Sequence, residues 1–258
     1  MIDAVLRNKK VAFLDLDGTV YMGDRLIPGV PDFLSLLVRK NIPYYFLSNN
    51  SSRSKQDYAE KLAGMGIPSQ EENILLSTDG VLNYLIRNHC SQIFLLGTAS
   101  MRRMFNAAEI NTESNNPEYV VLGFDTELVY EKLKKAALFM QRGSPLLVSH
   151  PDLVCPTPEG PIPDAGSMLV LLETATGKKA KKIFGKPNPD MIMHILKKHG
   201  ADPKEAVMCG DRLYTDMELA RRTGCDSILV LSGETKADDV DKNEYKPTII
   251  AESLGHLI

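Results

Sequence analysis

The sequence predicts an α/β fold built on a parallel sheet, and three observations lead there. Strand-like apolar runs alternate with helical patterns from one end of the chain to the other, as expected when helices cross over between parallel strands. Four apolar runs end in polar residues: 11–14 in Asp15-Leu16-Asp17, 44–47 in Ser48-Asn49-Asn50, 183–185 in Lys186, and 206–210 in Asp211 with Asp216. In an open parallel sheet the ligand lies outside the carboxyl ends of the strands, so these four clusters are expected to converge on one crevice. Finally, 258 residues is long for one core and suits a domain of about 150 residues with a smaller one of about 100.

Taken in order, Val11-Ala12-Phe13-Leu14 is the first strand, and the carboxylates of Asp15 and Asp17 follow it with Gly18 and Thr19. An aspartate nucleophile, a second aspartate near enough to move a proton, and a backbone bare of side chain at Gly18 suit attack on a phosphate ester. Residues 20–26, with Gly23-Asp24 as a turn signal, read as a short flap over the site. Over 29–40, Val30, Phe33, Leu34, Leu37 and Val38 keep the spacing of one apolar helix face. After the 44–47 strand, Asn50, Ser51 and Ser52 precede a helical stretch near Arg53, where helix capping and presentation of free N–H groups to an anion are both open.

Between Ser77 and Lys182 lies a second alternating set, with strand-like runs at 92–96, 119–122 and 146–149 whose ends carry no acidic or lysine motif. Because the polar clusters before and after it must meet, this block is expected to be an excursion: a core of 1–78 plus 182–258, and an inserted α/β domain of 79–181. Within it, Pro151, Pro156, Pro158, Pro161 and Pro163 exclude helix and central strand, leaving a stiff irregular loop. His150, Asp152 and Asp164 are candidate ligand contacts there, beside the plainer reading of a rigid connection. Lys178, Lys179, Lys181 and Lys182 form a basic run that reads as a solvated face, with steering of anions as the second reading. The helix over 188–199 has Asn188 as cap, Pro189 in the first turn, Lys197, Lys198 and His199 at its end, and Gly200 as stop.

Composition narrows the partners. Hydrophobic residues at 43% and charged residues at 24% describe an ordinary globular chain with little room for long disorder. A net charge of −3 gives no electrostatic reason to expect nucleic acid or an anionic membrane. No apolar run approaches the roughly 18 residues of a membrane span, and residues 1–10 are too polar for a secretory signal, so a cytoplasmic location is expected. Cys90, Cys155, Cys209 and Cys225 are scattered without a Cys-x-x-Cys pair and read as small buried or half-buried residues. His89, His150, His194, His199 and His256 show no metal-ligand spacing.

Asp15-x-Asp17-Gly18-Thr19, Ser48, Lys186 and Gly210-Asp211 with Asp216 resemble, essentially end to end, the four motifs of the haloacid dehalogenase superfamily of phosphohydrolases. The wording of 46–52, 185–189 and 210–216 resembles the NagD-like branch, which includes p-nitrophenyl phosphatases and sugar or nucleotide phosphatases. The resemblance implies a Rossmann-like parallel-sheet core with an inserted α/β cap, and a Mg²⁺-dependent phosphatase that hydrolyses small organic phosphate monoesters through an aspartyl phosphate. By the same resemblance Asp15 is the nucleophile and a Mg²⁺ ligand. Asp17 is general acid and base, with its backbone carbonyl on the metal. Ser48, with Asn49, Gly18 and Thr19, holds the phosphoryl group, and Lys186 neutralises its oxygens. Asp211 and Asp216 complete the metal site, Asp216 directly or through water. Mg²⁺ suits such hard carboxylate oxygens.

An aspartate near its ordinary pKa of ~3.9 is a poor acid at neutral pH. Crowding by Asp15 and Asp211, and water exclusion on cap closure, are expected to raise Asp17. The implied partner is a small phosphorylated metabolite, and the branch allows a homodimer through the cap. A dehalogenase is disfavoured because that branch lacks the second aspartate. A phosphotransferase or mutase, in which a substrate hydroxyl takes the phosphoryl group, stays open, as does a non-catalytic module holding a phosphorylated ligand.

Overall fold

The computed structural model describes residues 2–157 and 159–258, so Pro158 of the proline-rich segment lies outside the described residues. The chain divides into two compact units. The first contains Met1–Ser48, Ala59–Leu75 and Lys186–Ile258; the second contains Asn49–Tyr58 and Leu76–Gly185.

The first unit is built on a six-stranded sheet in the order Ile249–Ala251, Asp226–Val230, Ala206–Gly210, Val11–Asp15, Tyr44–Ser48, Ile74–Leu76. Val11–Asp15 pairs in parallel with Ala206–Gly210 on one side and Tyr44–Ser48 on the other. Both it and Ala206–Gly210 are buried along their whole length, which is why they read as unbroken apolar runs rather than alternating ones. The chain runs outward from Val11–Asp15 in both directions along the sheet, which makes its carboxyl end the switch point where ligands bind. Register places the polar clusters side by side: Asp15 is level with Leu47, one residue before Ser48. Leu14 is level with Cys209, two residues before Asp211.

One face of this sheet packs on the Asp190–Lys198 helix, with Phe13, Tyr45, Leu47 and Met208 against Met191, Ile192, Ile195 and Leu196. Each such side chain, fully buried, contributes about 1.5–3 kcal/mol. Pro189 holds the N-cap position where Asn188 was expected, Asn188 Oδ1 accepts from Asp190 N at 3.0 Å, and Gly200 follows the helix with φ of 54°. The Val30–Arg39 helix buries Val30, Phe33, Leu34 and Leu37. Val38, expected on the same face, is exposed, and Leu37 beside it is the last buried residue of the stripe. The 20–26 segment forms an antiparallel hairpin, Tyr21–Met22 with Arg25–Leu26, that turns at Gly23 with φ of 59°.

The second unit has a four-stranded parallel sheet in the order Lys182–Ile183, Leu146–Val148, Tyr119–Leu122, Ile93–Leu96. Side chains alternate between its faces: Leu95, Val121 and Leu147 pack in one cluster, and Phe94, Leu96, Val120, Leu122, Leu146 and Val148 in another. The 183–185 run therefore does not end a strand of the first sheet, as its sequence suggested. Ile183 is level with Val148 in the second sheet, because a local apolar run specifies a strand but not which sheet receives it. The proline-rich segment keeps one short ladder, Val154–Cys155 against Ile162–Pro163, within an otherwise irregular loop. Residues 49–58 group with this unit through hydrogen bonds such as Phe124 N to Ser51 Oγ at 2.7 Å and Thr98 Oγ1 to the Ser52 carbonyl at 2.8 Å. Cys90, Cys209 and Cys225 are buried and Cys155 half-buried, all as free thiols. Among the described residues no helix is long and apolar enough to cross a membrane.

Candidate active site

Asp15, Lys186, Asp211 and Asp216 come together at the carboxyl ends of the central strands, and all four are buried. Lys186 donates to Asp15 Oδ1 and lies 2.7 Å from Asp216 Oδ1. Ligating oxygens of Asp15, Asp211 and Asp216 all lie within 4.8 Å of one another. Three buried carboxylates thus lie together and one ammonium pairs with two of them, a crowding of like charge that low-dielectric surroundings make costly. Burial foremost, then the Asp15 and Asp216 charges, pushes Asp211 well above the ordinary carboxylate range. Burial likewise raises Asp216, to about 6, with Lys186 opposing and Asp15 adding to the shift. At Lys186 burial acts to lower the pKa, but Asp15 and Asp216 outweigh it and hold the ammonium charged.

The fit to a divalent cation follows from this donor set. Asp211 Oδ1 is buried without a hydrogen-bond partner, while Oδ2 accepts from Glu234 N at 2.7 Å. An acceptor-only carboxylate oxygen, turned inward beside two further carboxylates, suits a hard cation. Asp216 is aimed by a π-helical turn, Leu213–Met217, in which Met217 N donates to the Arg212 carbonyl at 3.1 Å. Its Oδ2 accepts from Arg212 N at 3.1 Å. Gly210 permits the approach, since a Cβ there would meet Asp216 Oδ2 at 2.5 Å.

The Asp15 loop is braced by its own backbone: Gly18 N donates to the Tyr21 carbonyl at 2.8 Å and Thr19 N to the Leu16 carbonyl at 3.2 Å. Thr19 is fully buried, and its hydroxyl has no hydrogen-bond partner. Asp17 is half-buried, with Tyr21 Oη donating to its Oδ2 at 3.4 Å. Its pKa is raised by burial, against the lowering pull of Lys61, Arg212 and the Tyr21 hydrogen bond. Of the two expected causes, exclusion from water is the one that raises it, and crowding by Asp15 and Asp211 is not among the leading influences. Ser48 is buried at the end of its strand.

Asn49 belongs to the second unit, where its side-chain amide donates to Asp152 Oδ1 at 2.9 Å. Asn50 Oδ1 accepts from Ser52 N and Oγ at 3.0 and 2.6 Å, a local turn. The helix that follows starts at Lys55 and is capped by Ser54 and Asp57 through reciprocal bonds.

One part of the arrangement escaped the sequence. Ser232-Gly233-Glu234 follows the Asp226–Val230 strand and closes over the site: Ser232 Oγ donates to the Gly18 carbonyl at 2.7 Å, and Glu234 pairs with Arg212 at 3.0 Å. The signal was present, because an apolar run again ends in polar residues. In the second unit His150, Asp152 and Asp164 gather with ligating atoms within 4.8 Å, all buried. Both ring nitrogens of His150 are engaged, by Ser149 Oγ and by Asp164 Oδ1, each at 2.8 Å.

Comparison with known proteins agrees with the geometry. Residues 12–111 match the family model of haloacid dehalogenase-like hydrolases, and residues 183–257 match a second model described as HAD-hydrolase-like. The crystal structure of a 4-nitrophenylphosphatase from Thermotoga maritima is similar with a TM-score of 0.94 and 41% identity, covering 98% of this chain and 97% of that one. A 5'-nucleotidase from Bacillus subtilis is 29% identical over 254 residues, 98% of this chain and 99% of that protein. An acid sugar phosphatase from Staphylococcus aureus is 29% identical over 255 residues, 98% of each chain.

Proposed function

The chain belongs to the haloacid dehalogenase-like hydrolases, and on that premise we propose that it is a Mg²⁺-dependent phosphatase of small organic phosphate monoesters. One observation carries the reading: three buried carboxylates gathered at the switch point of a parallel sheet, two of them paired with one buried lysine. Relatives named for 4-nitrophenyl phosphate, nucleotides and sugar phosphates support small monoesters as the substrate class.

In this reading Asp15 attacks phosphorus while the P–O bond to the leaving group breaks, and Asp17 gives its proton to the departing oxygen. The resulting aspartyl phosphate is hydrolysed by a water whose proton returns to Asp17, releasing inorganic phosphate. The raised pKa of Asp17 suits the first of these duties. Lys186 holds Asp15 in place and balances phosphoryl charge as a point cation. Ser48, Asn49, Gly18 and Thr19 bind the phosphoryl oxygens. Asp15, the Asp17 carbonyl, Asp211 and Asp216 would hold Mg²⁺, which when bound supplies countercharge to the phosphoryl group.

We assign the first unit to the catalytic core and the second to the cap, which moves 49–58, 76–78 and 182–185 to the cap from the expected division into 1–78 plus 182–258 and 79–181. Homodimerisation through the cap has support in the Ala165–Thr176 helix, whose Val170 and Leu171 are exposed. Light scattering of wild type and Leu171→Glu tests it: a dimer reduced to monomer is expected, and a monomeric wild type removes it.

The central test is inorganic phosphate release from p-nitrophenyl phosphate, sugar phosphates and nucleoside monophosphates, with Mg²⁺ or EDTA, on wild type and Asp15→Asn. Metal-dependent turnover abolished by the substitution is expected. Phosphate moved to a second acceptor instead of released would make the enzyme a phosphotransferase.

A further inference from the structure

The second unit begins at Asn49, one residue after Ser48, and ends at Gly185, one residue before Lys186. Its first and last residues both lie against the same short segment, 149–152. Asn49 donates its side-chain amide to Asp152 Oδ1 at 2.9 Å, and its carbonyl accepts from Ser77 Oγ at 2.7 Å. Gly185 has φ of 70°, and a Cβ there would meet Asn49 Oδ1 at 2.7 Å, His150 Cβ at 2.9 Å and the Ser149 carbonyl at 2.9 Å. The chain that leaves Ser48 and the chain that enters Lys186 are therefore packed on one another through Asn49 and Gly185.

The segment holding them is itself fixed. Ser149 Oγ bridges Ser51 Oγ at 3.1 Å and His150 Nδ1 at 2.8 Å, and His150 Nε2 meets Asp164 Oδ1 at 2.8 Å. Asp164 caps the Ala165–Thr176 helix. Ser51, Ser149, His150, Asp152 and Asp164 are all buried, and a satisfied buried polar network holds one geometry far better than solvated contacts do. Candidate substrate contacts in the proline-rich region thus turn inward, toward residues that flank two of the four sequence motifs.

We infer that Asp152 is a positioning residue for phosphoryl binding: it fixes the Asn49 amide and, through Asn49 and Gly185, the path of the chain at Ser48 and at Lys186. The inference rests on the phosphatase reading above. It goes beyond that reading by giving a role in the reaction to a buried carboxylate outside the residues assigned to the phosphoryl group and the metal. Groups that support a binding residue from behind commonly change affinity or rate by about 10–100-fold when removed.

The test compares wild type, Asp152→Ala, Asp152→Asn, Asn49→Ala and the Asp152→Ala/Asn49→Ala pair. Read for each are kcat and KM with p-nitrophenyl phosphate, the Kd of inorganic phosphate by calorimetry with Mg²⁺, and the melting temperature. For Asp152→Ala, KM and the phosphate Kd are expected to rise about tenfold with a smaller change in kcat. Asp152→Asn, which keeps an acceptor oxygen, recovers most of this. In the Asn49→Ala background the same change adds less than about twofold, because the two act as one unit.

A folded Asp152→Ala protein with wild-type phosphate affinity overturns the inference, as do fully additive losses in the double variant. If Asp152→Ala does not fold, Asp152→Glu displaces the acceptor by one methylene and is read on the same constants, with unchanged phosphate Kd again overturning it. An active wild type with an unaffected variant sinks the positioning role alone. A wild type that neither hydrolyses nor binds phosphate overturns the phosphatase reading with it.

Discussion

Gly18 sits so close to Asp211 that a Cβ on it would come within 2.5 Å of Asp211 Oδ2 and 2.8 Å of Cγ. Its φ of 90° is also a conformation that a side chain disfavours. Gly18→Ala must therefore displace either the Asp15 loop or the Asp211 carboxylate. We expect kcat/KM to fall by about a hundredfold or more from the displaced site, with about 1–3 kcal/mol of lost stability. Steady-state kinetics and thermal melts check it, and a variant with wild-type turnover would detach Asp211 from the reaction.

Lys186 pairs with both Asp15 and Asp216. Replacing it with Met leaves two buried carboxylates uncompensated, a change that costs about 3–5 kcal/mol when a buried pair is broken from one side. Turnover should be lost, while added Mg²⁺ should raise the melting temperature of Lys186→Met more than that of wild type. Equal Mg²⁺ shifts in the two proteins would show that the lysine and the metal do not share the same carboxylates.

Burial raises Asp211 and Asp216 in the metal-free protein, Asp216 to about 6. A carboxyl whose folded pKa lies above its unfolded value contributes stability that is full below the unfolded value and is lost as pH rises through the folded one. For Asp216 the loss runs from near the ordinary 3.8 to above about 6. Metal binding needs the ionised form, so Mg²⁺ should stabilise more at about pH 7.5 than at about pH 5. Melts in EDTA and in Mg²⁺ at both pH values, on wild type and Asp216→Asn, decide the matter. A Mg²⁺ shift that is the same at both pH values would contradict it.

How far the sequence disclosed this site depends on how local each part is. Asp15, Asp17, Asp211 and Asp216 were legible because each follows an apolar strand within a few residues, and parallel register then sets the strands level. Lys186 was legible as a residue but not in its setting, since the 182–183 strand pairs with 147–148 in the other sheet. Ser232-Gly233-Glu234 ends an apolar run in polar residues as the other clusters do, but without a carboxylate pair that signal did not single it out, although Glu234 N bonds Asp211. The Asn49–Asp152 bond joins residues 103 apart in sequence, and no periodicity or spacing rule reaches across that distance.

Asp17 offers the sharpest test of the chemistry, because its two duties fall on different steps. As an acid it matters most when the leaving group is a poor one, such as a sugar alkoxide, and least for p-nitrophenolate, which departs readily unprotonated. As a base it matters equally for all substrates, since every one passes through the same aspartyl phosphate. Asp17→Asn should therefore lose about 10²–10⁴-fold of its turnover on sugar phosphates, yet still release a rapid first equivalent of p-nitrophenol from p-nitrophenyl phosphate before stalling. The stalled protein should carry acid-stable mass equal to one phosphoryl group, absent from Asp15→Asn. Asp17 sits half-buried beside Tyr21 with a raised pKa, so Tyr21→Phe leaves the nucleophile untouched and should alter only the acid and base steps. Rapid-quench kinetics on the three variants check this, and equal losses on both substrate classes with no burst would remove Asp17 from leaving-group protonation.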